Sequence, residues 1–276
     1  MENLKQTRFS GSPVLSCILP KERNEYGEWI IADEDYYIGA MCNVVGIKIF
    51  HRFEPKLQLP FTSELETSFI NSDQLEELDL LDYENKISLA NPSDELQRGR
   101  NYVLVSKSKL LAYENVIAQY LYILECHYES LKLFFNKFNL DHDVLNKAVS
   151  LLRDDDFLIL AYQTARHKSK NVIAGVQKRY ELNQVSHRFI LWDADLKVIQ
   201  TQELPSYQHE TIIEKKVPYD KKKEYAMNKL YPPMSFWSDE KWKRDTYYFT
   251  WGIPLMCKDI EHYEFSLKTM QLTKID

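Results

Sequence analysis

Glycine is scarce in this chain, which has 7 glycines among 276 residues. Loops that cradle a nucleotide phosphate need glycine, because without a side chain the backbone N–H groups can approach the ligand closely. The sequence contains neither a GxGxxG pattern nor a GxxxxGK pattern. We therefore expect neither a Rossmann-type nor a P-loop nucleotide site.

The sequence also lacks clustered cysteines, and no CxxC pattern occurs in it. Structural zinc sites and disulfide scaffolds need clustered thiols. We therefore expect four reduced thiols, at Cys17, Cys42, Cys126 and Cys257. The first residues lack the apolar run of a signal peptide, and no stretch approaches the ~20 apolar residues of a membrane span. These absences predict a soluble, cytoplasmic protein without membrane attachment.

Acidic residues exceed basic ones, giving a net charge of −6, and the excess lies in the first part of the chain. Residues 1–100 carry 18 Asp and Glu against 10 Lys and Arg, whereas residues 101–276 carry 23 against 25. Proteins that bind duplex nucleic acid usually carry a basic excess, which displaces counterions from the phosphates. The sequence therefore predicts an acidic lobe over 1–100, and broad nucleic-acid affinity is not expected.

Apolar residues recur every three or four positions over 108–138, which is typical of one long amphipathic helix. A second helix through Leu152 would complete a helical hairpin over 107–153. Such a broad apolar face needs the rest of the protein, or a partner, packed against it.

β-branched and aromatic residues are frequent on both sides of this hairpin. Residues 13–19 and 28–53 predict three or four strands, and residues 157–276 predict a β-rich C-terminal part in which 172–185 are ambiguous. Residues 62–95 hold ten acidic residues and one basic residue, which predicts a loop with a short acidic helix or a mobile insertion. The predicted fold is α+β, in a single compact unit over 1–276.

An apolar, strand-like segment ends in Asp193-Ala194-Asp195, and two carboxylates at a strand tip can hold a divalent cation. Residues 188–204 locally resemble the metal-binding aspartate pair of GT-A glycosyltransferases, in which the metal bridges the diphosphate of a sugar nucleotide. The resemblance implies Mg²⁺ or Mn²⁺ at Asp193 and Asp195. The alternative, which we favour, is a β-hairpin turn, because Asp-Ala-Asp-Leu-Lys between apolar runs is common turn chemistry.

A second candidate is Glu214-Lys215-Lys216 at the end of a predicted strand. A strand ending in Glu-x-Lys with an upstream aspartate resembles the PD-(D/E)xK nuclease core. The resemblance implies that Asp195 and Glu214 bind Mg²⁺ and that Lys216 positions or activates the attacking water. If the two resemblances describe one site, Asp193 is a further ligand of the same metal. The alternative, which we again favour, is an exposed strand end that continues into a solvated lysine cluster.

Two further groups of residues are candidates for contacts. Arg166-His167 and His187-Arg188 have the chemistry of a general base or a phosphate contact, although surface His-Arg pairs usually have no such role. His127 lies on the apolar face of the predicted long helix, as a core histidine would.

Aromatic residues cluster in 231–251, which predicts a β-rich core with inward-facing rings, or alternatively a contact surface.

The sequence supports two classes of function. The favoured class is a non-catalytic interaction protein, such as an inhibitor, an immunity-type protein or an assembly factor, which binds a protein partner through its acidic lobe and aromatic surface. In this interpretation the chain has no catalytic residue, metal or cofactor. The alternative is a divalent-metal enzyme acting on phosphodiester or sugar-nucleotide substrates, with Asp193, Asp195, Glu214 and Lys216 as its site and Mg²⁺ or Mn²⁺ as its cofactor.

Overall fold

A computed structural model describes most of the chain, namely residues 8–16, 33–53, 64–75, 98–160, 164–208, 241–251 and 261–275. Within them the fold is α+β, with strands toward both ends and helices between, as predicted. The chain divides into two compact units, Met1–Phe157 and Leu158–Asp276. The division lies at the predicted start of the β-rich part, and a single compact body over the whole chain stays a prediction.

None of the helices in the described ranges is both long enough and apolar enough to cross a membrane.

The N-terminal unit contains a three-stranded parallel sheet in the order β1-β2-β3. The strands are β1 (Arg8–Ser16), β2 (Glu64–Asn71) and β3 (Arg98–Val105). Glu64 pairs with Arg8 on one side and with Arg98 on the other, so β2 is the central strand. In the described ranges of this unit the helices are α1 (Asp33–His51), α2 (Lys107–Leu111), α3 (Val116–Lys137) and α4 (His142–Ser150). Two short 3₁₀ helices span Ser72–Gln74 and Asp154–Phe157.

The prediction of strands over 28–53 is wrong for residues 33–51, which form α1. Most of this helix is buried, and its apolar residues therefore occupy several faces rather than one stripe. The β-branched residues Val44, Val45 and Ile49 are all buried here, so tertiary packing outweighs their preference for strands. A Cβ at Gly46 would collide with the ring of Phe9, so glycine allows β1 to approach the helix closely.

The prediction of one helix over 108–138 is wrong in one respect, because the helix is interrupted. Helix α2 ends at Leu111, and α3 begins at Val116. The side chain of Asn115 caps the start of α3 by accepting a hydrogen bond from the Ile117 N–H at 2.7 Å. A side chain that caps a helix in this way favours a new start over continuation. The apolar face of α3 is nevertheless buried, with Ile123 and Phe134 fully inaccessible.

The acidic segment 62–95 contains a buried strand, which was not predicted from its acidic composition. Residues 64–71 form β2, in which Glu66 and Ser68 alternate with the buried side chains of Leu65, Thr67 and Phe69. The two-residue period of a strand places these two sets of side chains on opposite faces of the sheet. The prediction of a loop or mobile insertion is therefore wrong for these residues, whereas residues 76–97 lie outside the described part of the chain.

The C-terminal unit contains two antiparallel sheets, with strand orders β4-β6-β7-β8 and β12-β11-β10-β9, and β5 also pairs with β6. The first sheet is built from β4 (Ile159–Leu160), β5 (Ala165–Arg166), β6 (Val172–Tyr180), β7 (Gln184–Asp193) and β8 (Val198–Gln208). The second is built from β9 (Lys241–Lys243), β10 (Thr246–Trp251), β11 (Glu261–Ser266) and β12 (Gln271–Ile275). The ambiguous segment 172–185 is thus mostly strand.

Both C-terminal sheets contribute to one hydrophobic core. Phe189 of the first sheet packs against Tyr247, Phe249 and Phe265 of the second, with ring centroids 4.7–6.1 Å apart. Aromatic rings at these separations contribute attraction beyond their buried area. Tyr247 and Phe249 are buried, as the interpretation of inward-facing rings predicts, whereas Trp242 and Tyr248 are partly exposed. Residues 231–240, which include Tyr231, Phe236 and Trp237, lie outside the described residues.

Candidate functional site

Four turns between antiparallel strands meet at one end of the C-terminal unit, and we call them the turn face. They span residues 166–171, 193–198, 243–246 and 266–271. The first two are neighbours because Val172 pairs with Asp193, and the last two are neighbours because Thr246 pairs with Ser266. The turn face thus collects residues that are far apart in sequence.

Contacts between the two sheets join these pairs of turns. His167 of the first turn hydrogen-bonds through Nε2 to the carbonyl oxygen of Arg244 in the third, at 2.7 Å. The amide of Gln200, at the start of β8, donates to the carbonyl oxygen of Met270 in the fourth turn, at 2.8 Å. The four turns are therefore held against one another by specific hydrogen bonds.

Each of the four turns contains one residue with a positive φ. These residues are Asn171 (55°), Leu196 (63°), Arg244 (52°) and Met270 (55°), out of five such non-glycine residues in the described ranges. Asparagine tolerates this left-handed conformation, whereas for Leu, Arg and Met it costs about 1–2 kcal/mol in conformational energy. Three turns therefore present a long side chain at a position where glycine or asparagine would be more stable.

The aspartates proposed as metal ligands lie in the second turn. Asp193 Oδ1 accepts hydrogen bonds from the backbone N–H groups of Asp195 and Lys197, at 3.0 and 2.8 Å, while Asp195 itself is exposed. This is the geometry of a side chain that closes a turn, as the hairpin interpretation predicts. Glu214 and Lys216 lie outside the described residues. No group of three His, Cys, Asp or Glu side chains in the described ranges is placed to hold a metal.

The first turn lines an open depression of about 390 Å³, bordered by Arg166, His167, Lys168, Ser169 and Asn171. His167 is 7% exposed and forms its inner wall, whereas Arg166 and Lys168 are exposed at its rim. The His167 Nδ1 accepts hydrogen bonds from the backbone N–H groups of Ser169 and Lys170, at 3.1 and 3.0 Å. Both ring nitrogens therefore have structural partners, so His167 supports the shape of the turn rather than a general-base role.

Apolar side chains are exposed on and beside the second and fourth turns. Leu196 is 67% exposed, Val198 and Ile199 are each 46% exposed, and Met270 is 36% exposed. Single exposed apolar residues are ordinary, but a group on adjacent turns is typical of a protein contact surface. This group is the clearest candidate for a binding surface in the described part of the chain.

A second polar cluster lies in the N-terminal unit, where the parallel strands β2 and β3 end. The carboxyl ends of parallel strands are a common location for ligand sites. The ammonium group of Lys107 lies 2.9 Å from Asp35 Oδ1 and 3.0 Å from Glu34 Oε2. Burial disfavours its charge, but the hydrogen bonds to these carboxylates outweigh burial and raise the pKa of Lys107.

The remaining groups of this cluster form helix and turn caps. The Asp73 carboxylate accepts a hydrogen bond from the Ser108 N–H at 2.7 Å, and Asn71 Oδ1 accepts one from the Asp73 N–H at 3.2 Å. Burial disfavours the Asp73 carboxylate, but hydrogen bonds from Ser106 and Ser108 outweigh it and lower its pKa. The cluster therefore stabilises the ends of β2 and β3, and each of its charged groups has a hydrogen-bond partner within the protein.

Two thiols and two imidazoles in the interior have strongly shifted pKa values. Burial raises the pKa of the Cys42 thiol and raises that of Cys126 to about 11. It lowers the pKa of His127 to about 4, and burial with the nearby Lys178 lowers that of His187 to about 3. These thiols are protonated at neutral pH and these imidazoles are weak bases, so none is tuned for catalysis.

Sequence reasoning identified Asp193, Asp195, Arg166 and His167 but did not bring them together. Asp193 and Asp195 were placed in a predicted turn, whereas no pattern in the sequence indicates that Arg166 and His167 lie in a neighbouring turn. Comparison of the chain with models of protein families, with curated proteins and with solved structures finds no match.

Proposed function

We propose that this chain is a non-catalytic, cytoplasmic interaction protein, such as an inhibitor, an immunity-type protein or an assembly factor, and that it binds a protein partner through the turn face. The observation that carries the proposal is the exposed apolar group formed by Leu196, Val198, Ile199 and Met270. Burying such side chains against a partner is the main source of binding free energy in protein interfaces. The acidic lobe over 1–100 is proposed as a second contact surface.

The conformation of Leu196 supports this proposal independently of its exposure. Its left-handed backbone is less stable than the same turn with asparagine, and its side chain is 67% exposed. Folding therefore gains little from a leucine at this position. Residues in energetically unfavourable backbone conformations are frequent at binding sites.

The titratable groups support a binding role rather than catalysis. A catalytic acid, base or nucleophile needs a pKa matched to its task and access to a substrate. Among the described residues, the thiols of Cys42 and Cys126 are shifted away from the reactive form, and His127 is buried. The carboxylates of Asp73 and Asp193 accept hydrogen bonds from backbone N–H groups.

A crosslinking experiment tests the proposed surface. A photoreactive amino acid is placed at Leu196, and at the exposed Lys147 of the N-terminal unit as a control, and each protein is irradiated in cell extract. We expect a discrete crosslinked product from position 196 alone. Excess unlabelled wild type should compete for it, whereas a Leu196→Asn/Met270→Gln variant should not. Equal competition by that variant would contradict the proposal.

The metal-enzyme alternative is tested by thermal unfolding with and without millimolar Mn²⁺. A ligand at a hundred times its dissociation constant stabilises a folded protein by about 2.7 kcal/mol. We expect no Mn²⁺-dependent change in the melting temperature of either the wild type or an Asp195→Asn variant. A rise in the wild type that the variant lacks would replace the proposed function with a metal-dependent enzyme using Asp193, Asp195, Glu214 and Lys216.

A further inference from the structure

We infer that the partner of the turn face is an acidic protein segment that also carries apolar side chains. This inference rests on the proposed function and specifies the chemistry of the partner. It follows from the charges of the four turns, from the backbone groups around His167, and from the apolar side chains among them.

Positive charge predominates on the turn face. The four turns contain seven Lys and Arg residues and three aspartates. Arg166, Lys168 and Lys268 are exposed, and none of them forms an ion pair with another described residue. Exposed cations attract an anionic partner over distances of about 10 Å at ordinary salt.

Two of the three aspartates are already engaged within the turn face. Asp193 Oδ1 accepts two backbone hydrogen bonds, and Asp245 lies 4.0 Å from the ammonium group of Lys170. Only Asp195 is exposed without a described contact to its carboxylate. The four turns therefore carry four more positive than negative charges, and one of their seven cations, Lys170, is paired with Asp245.

The excess of positive charge extends over the whole C-terminal unit, although the complete chain has a net charge of −6. Residues 158–276 carry 19 Lys and Arg against 15 Asp and Glu, whereas residues 1–157 carry 16 against 26. Complementary charge mainly raises the rate of association and selects among partners. The bias therefore favours an acidic partner over a neutral one.

The geometry of the first turn disfavours a phosphate as the bound anion. A phosphate site is usually built from backbone N–H groups that point toward the anion. Here the N–H groups of Ser169 and Lys170 already donate to His167 Nδ1. What remains is a rim of flexible cations, which attracts carboxylates without forming a fixed anion pocket.

The apolar side chains favour a protein over a nucleic acid. Proteins that bind single-stranded nucleic acid usually provide aromatic side chains on which the bases stack. The four turns contain no Phe, Tyr or Trp, and the side chains exposed beside the cations are Leu196, Met270 and their aliphatic neighbours. An acidic peptide with leucine-like residues matches both the charge and the apolar surface.

The experiment measures binding of a short, fluorescently labelled Glu-Glu-Leu repeat peptide to the full chain by fluorescence anisotropy. We expect saturable binding at about 50 mM salt that weakens at about 300 mM, because salt screens the attraction. Replacing Arg166, Lys168 and Lys268 with glutamine should raise the dissociation constant at least about tenfold, which corresponds to about 1.4 kcal/mol.

Matched controls separate the turn face from overall charge. Replacing the exposed Lys109, Lys137 and Lys147 of the N-terminal unit with glutamine removes the same charge and should change the dissociation constant less than about twofold. A Gln-Gln-Leu repeat peptide should bind at least about tenfold more weakly than the acidic peptide. Equal melting temperatures of the two triple variants would establish that both remain folded.

Each other outcome overturns the inference. Equal binding of the Gln-Gln-Leu peptide would remove the role of charge but leave the proposed function intact if the crosslink at position 196 is still formed and competed. Tighter binding of oligo(dT) would indicate a nucleic acid, and displacement of the peptide by millimolar inorganic phosphate would indicate a phosphate site. Absence of binding by every probe, or equal losses in both triple variants, would also overturn it.

Discussion

The Nε2–H of His167 donates a hydrogen bond to the backbone carbonyl oxygen of Arg244, at 2.7 Å, and so joins two turns that are 77 residues apart in sequence. The other ring nitrogen accepts from the backbone of its own turn. The indole of Trp242 packs edge-on against the same ring, with centroids 4.8 Å apart. One buried side chain therefore organises the first and third turns together.

Replacing His167 with alanine should destabilise the protein by about 1–3 kcal/mol, because three hydrogen bonds to partly buried backbone groups would be lost. The measurement is urea unfolding of the variant and of Lys168→Ala, an exposed neighbour in the same turn. Lys168→Ala should change the free energy of unfolding by less than about 0.5 kcal/mol. Similar losses in the two variants would show that the His167 hydrogen bonds contribute little.

Replacing Leu196 with asparagine should stabilise the protein by about 1 kcal/mol, because asparagine tolerates its φ of 63°. The matched control is Ile199→Asn, which also removes a largely exposed apolar side chain but lies within β8. Thermal unfolding should show a higher melting temperature for Leu196→Asn than for the control. The opposite order would mean that the left-handed backbone does not limit stability here.

His127 should make the stability of the N-terminal unit depend on pH. Burial lowers its pKa to about 4, against about 6.5 in the unfolded chain, so the unfolded state binds more protons between these values. The free energy of unfolding should therefore fall as the pH decreases from about 6.5 to about 4, by up to about 1.4 kcal/mol per pH unit.

The measurement is urea unfolding across this pH range for the wild type and His127→Gln. Glutamine does not titrate, and its amide can replace the hydrogen bond that His127 donates to the Cys42 carbonyl oxygen at 2.9 Å. The variant should show a flatter pH dependence in this window, while the contributions of carboxylates remain in both proteins. Parallel curves would exclude His127 as the source.

Helix α3 offers a pair of leucines that tests the buried face. Leu131 is 1% exposed and Leu133 is 39% exposed, two positions along the same helix. Leu131→Ala should cost about 2–5 kcal/mol, the usual range for truncating a buried leucine. Leu133→Ala should cost clearly less in the same urea titration. Equal losses would mean that Leu133 is covered by a part of the chain outside the described residues.

Local chemistry was sufficient to predict some elements and insufficient for others. The turn at Asp193 was predictable because an aspartate followed by polar residues closes its own turn. Helix α1 was not, because burial on several sides removes the periodic pattern by which a helix is recognised. The interruption at Asn115 depends on one capping side chain, which the apolar periodicity does not report.

The turn face could not have been predicted as a site. Only the turn at Asp193 was predicted from the sequence. The proximity of the four turns depends on long-range contacts, such as the hydrogen bond that the Trp242 indole donates to the Ala165 carbonyl oxygen. The positive φ values of Leu196 and Met270 are also invisible in the sequence, because these residue types normally avoid that conformation. The turn face can therefore be recognised only in the tertiary structure.

The parallel sheet of the N-terminal unit has a consequence for the order of folding. Its strands pair residues that are far apart in sequence, such as Arg8 with Glu64 and Glu64 with Arg98, whereas Tyr180 of β6 pairs with nearby Val185 of β7. Contacts between distant residues form slowly because a long loop must first be closed. Pulse-labelling hydrogen exchange during refolding should therefore protect the amides of β6 and β7 before those of β2, and the central strand of the N-terminal unit should be among the last to leave solvent.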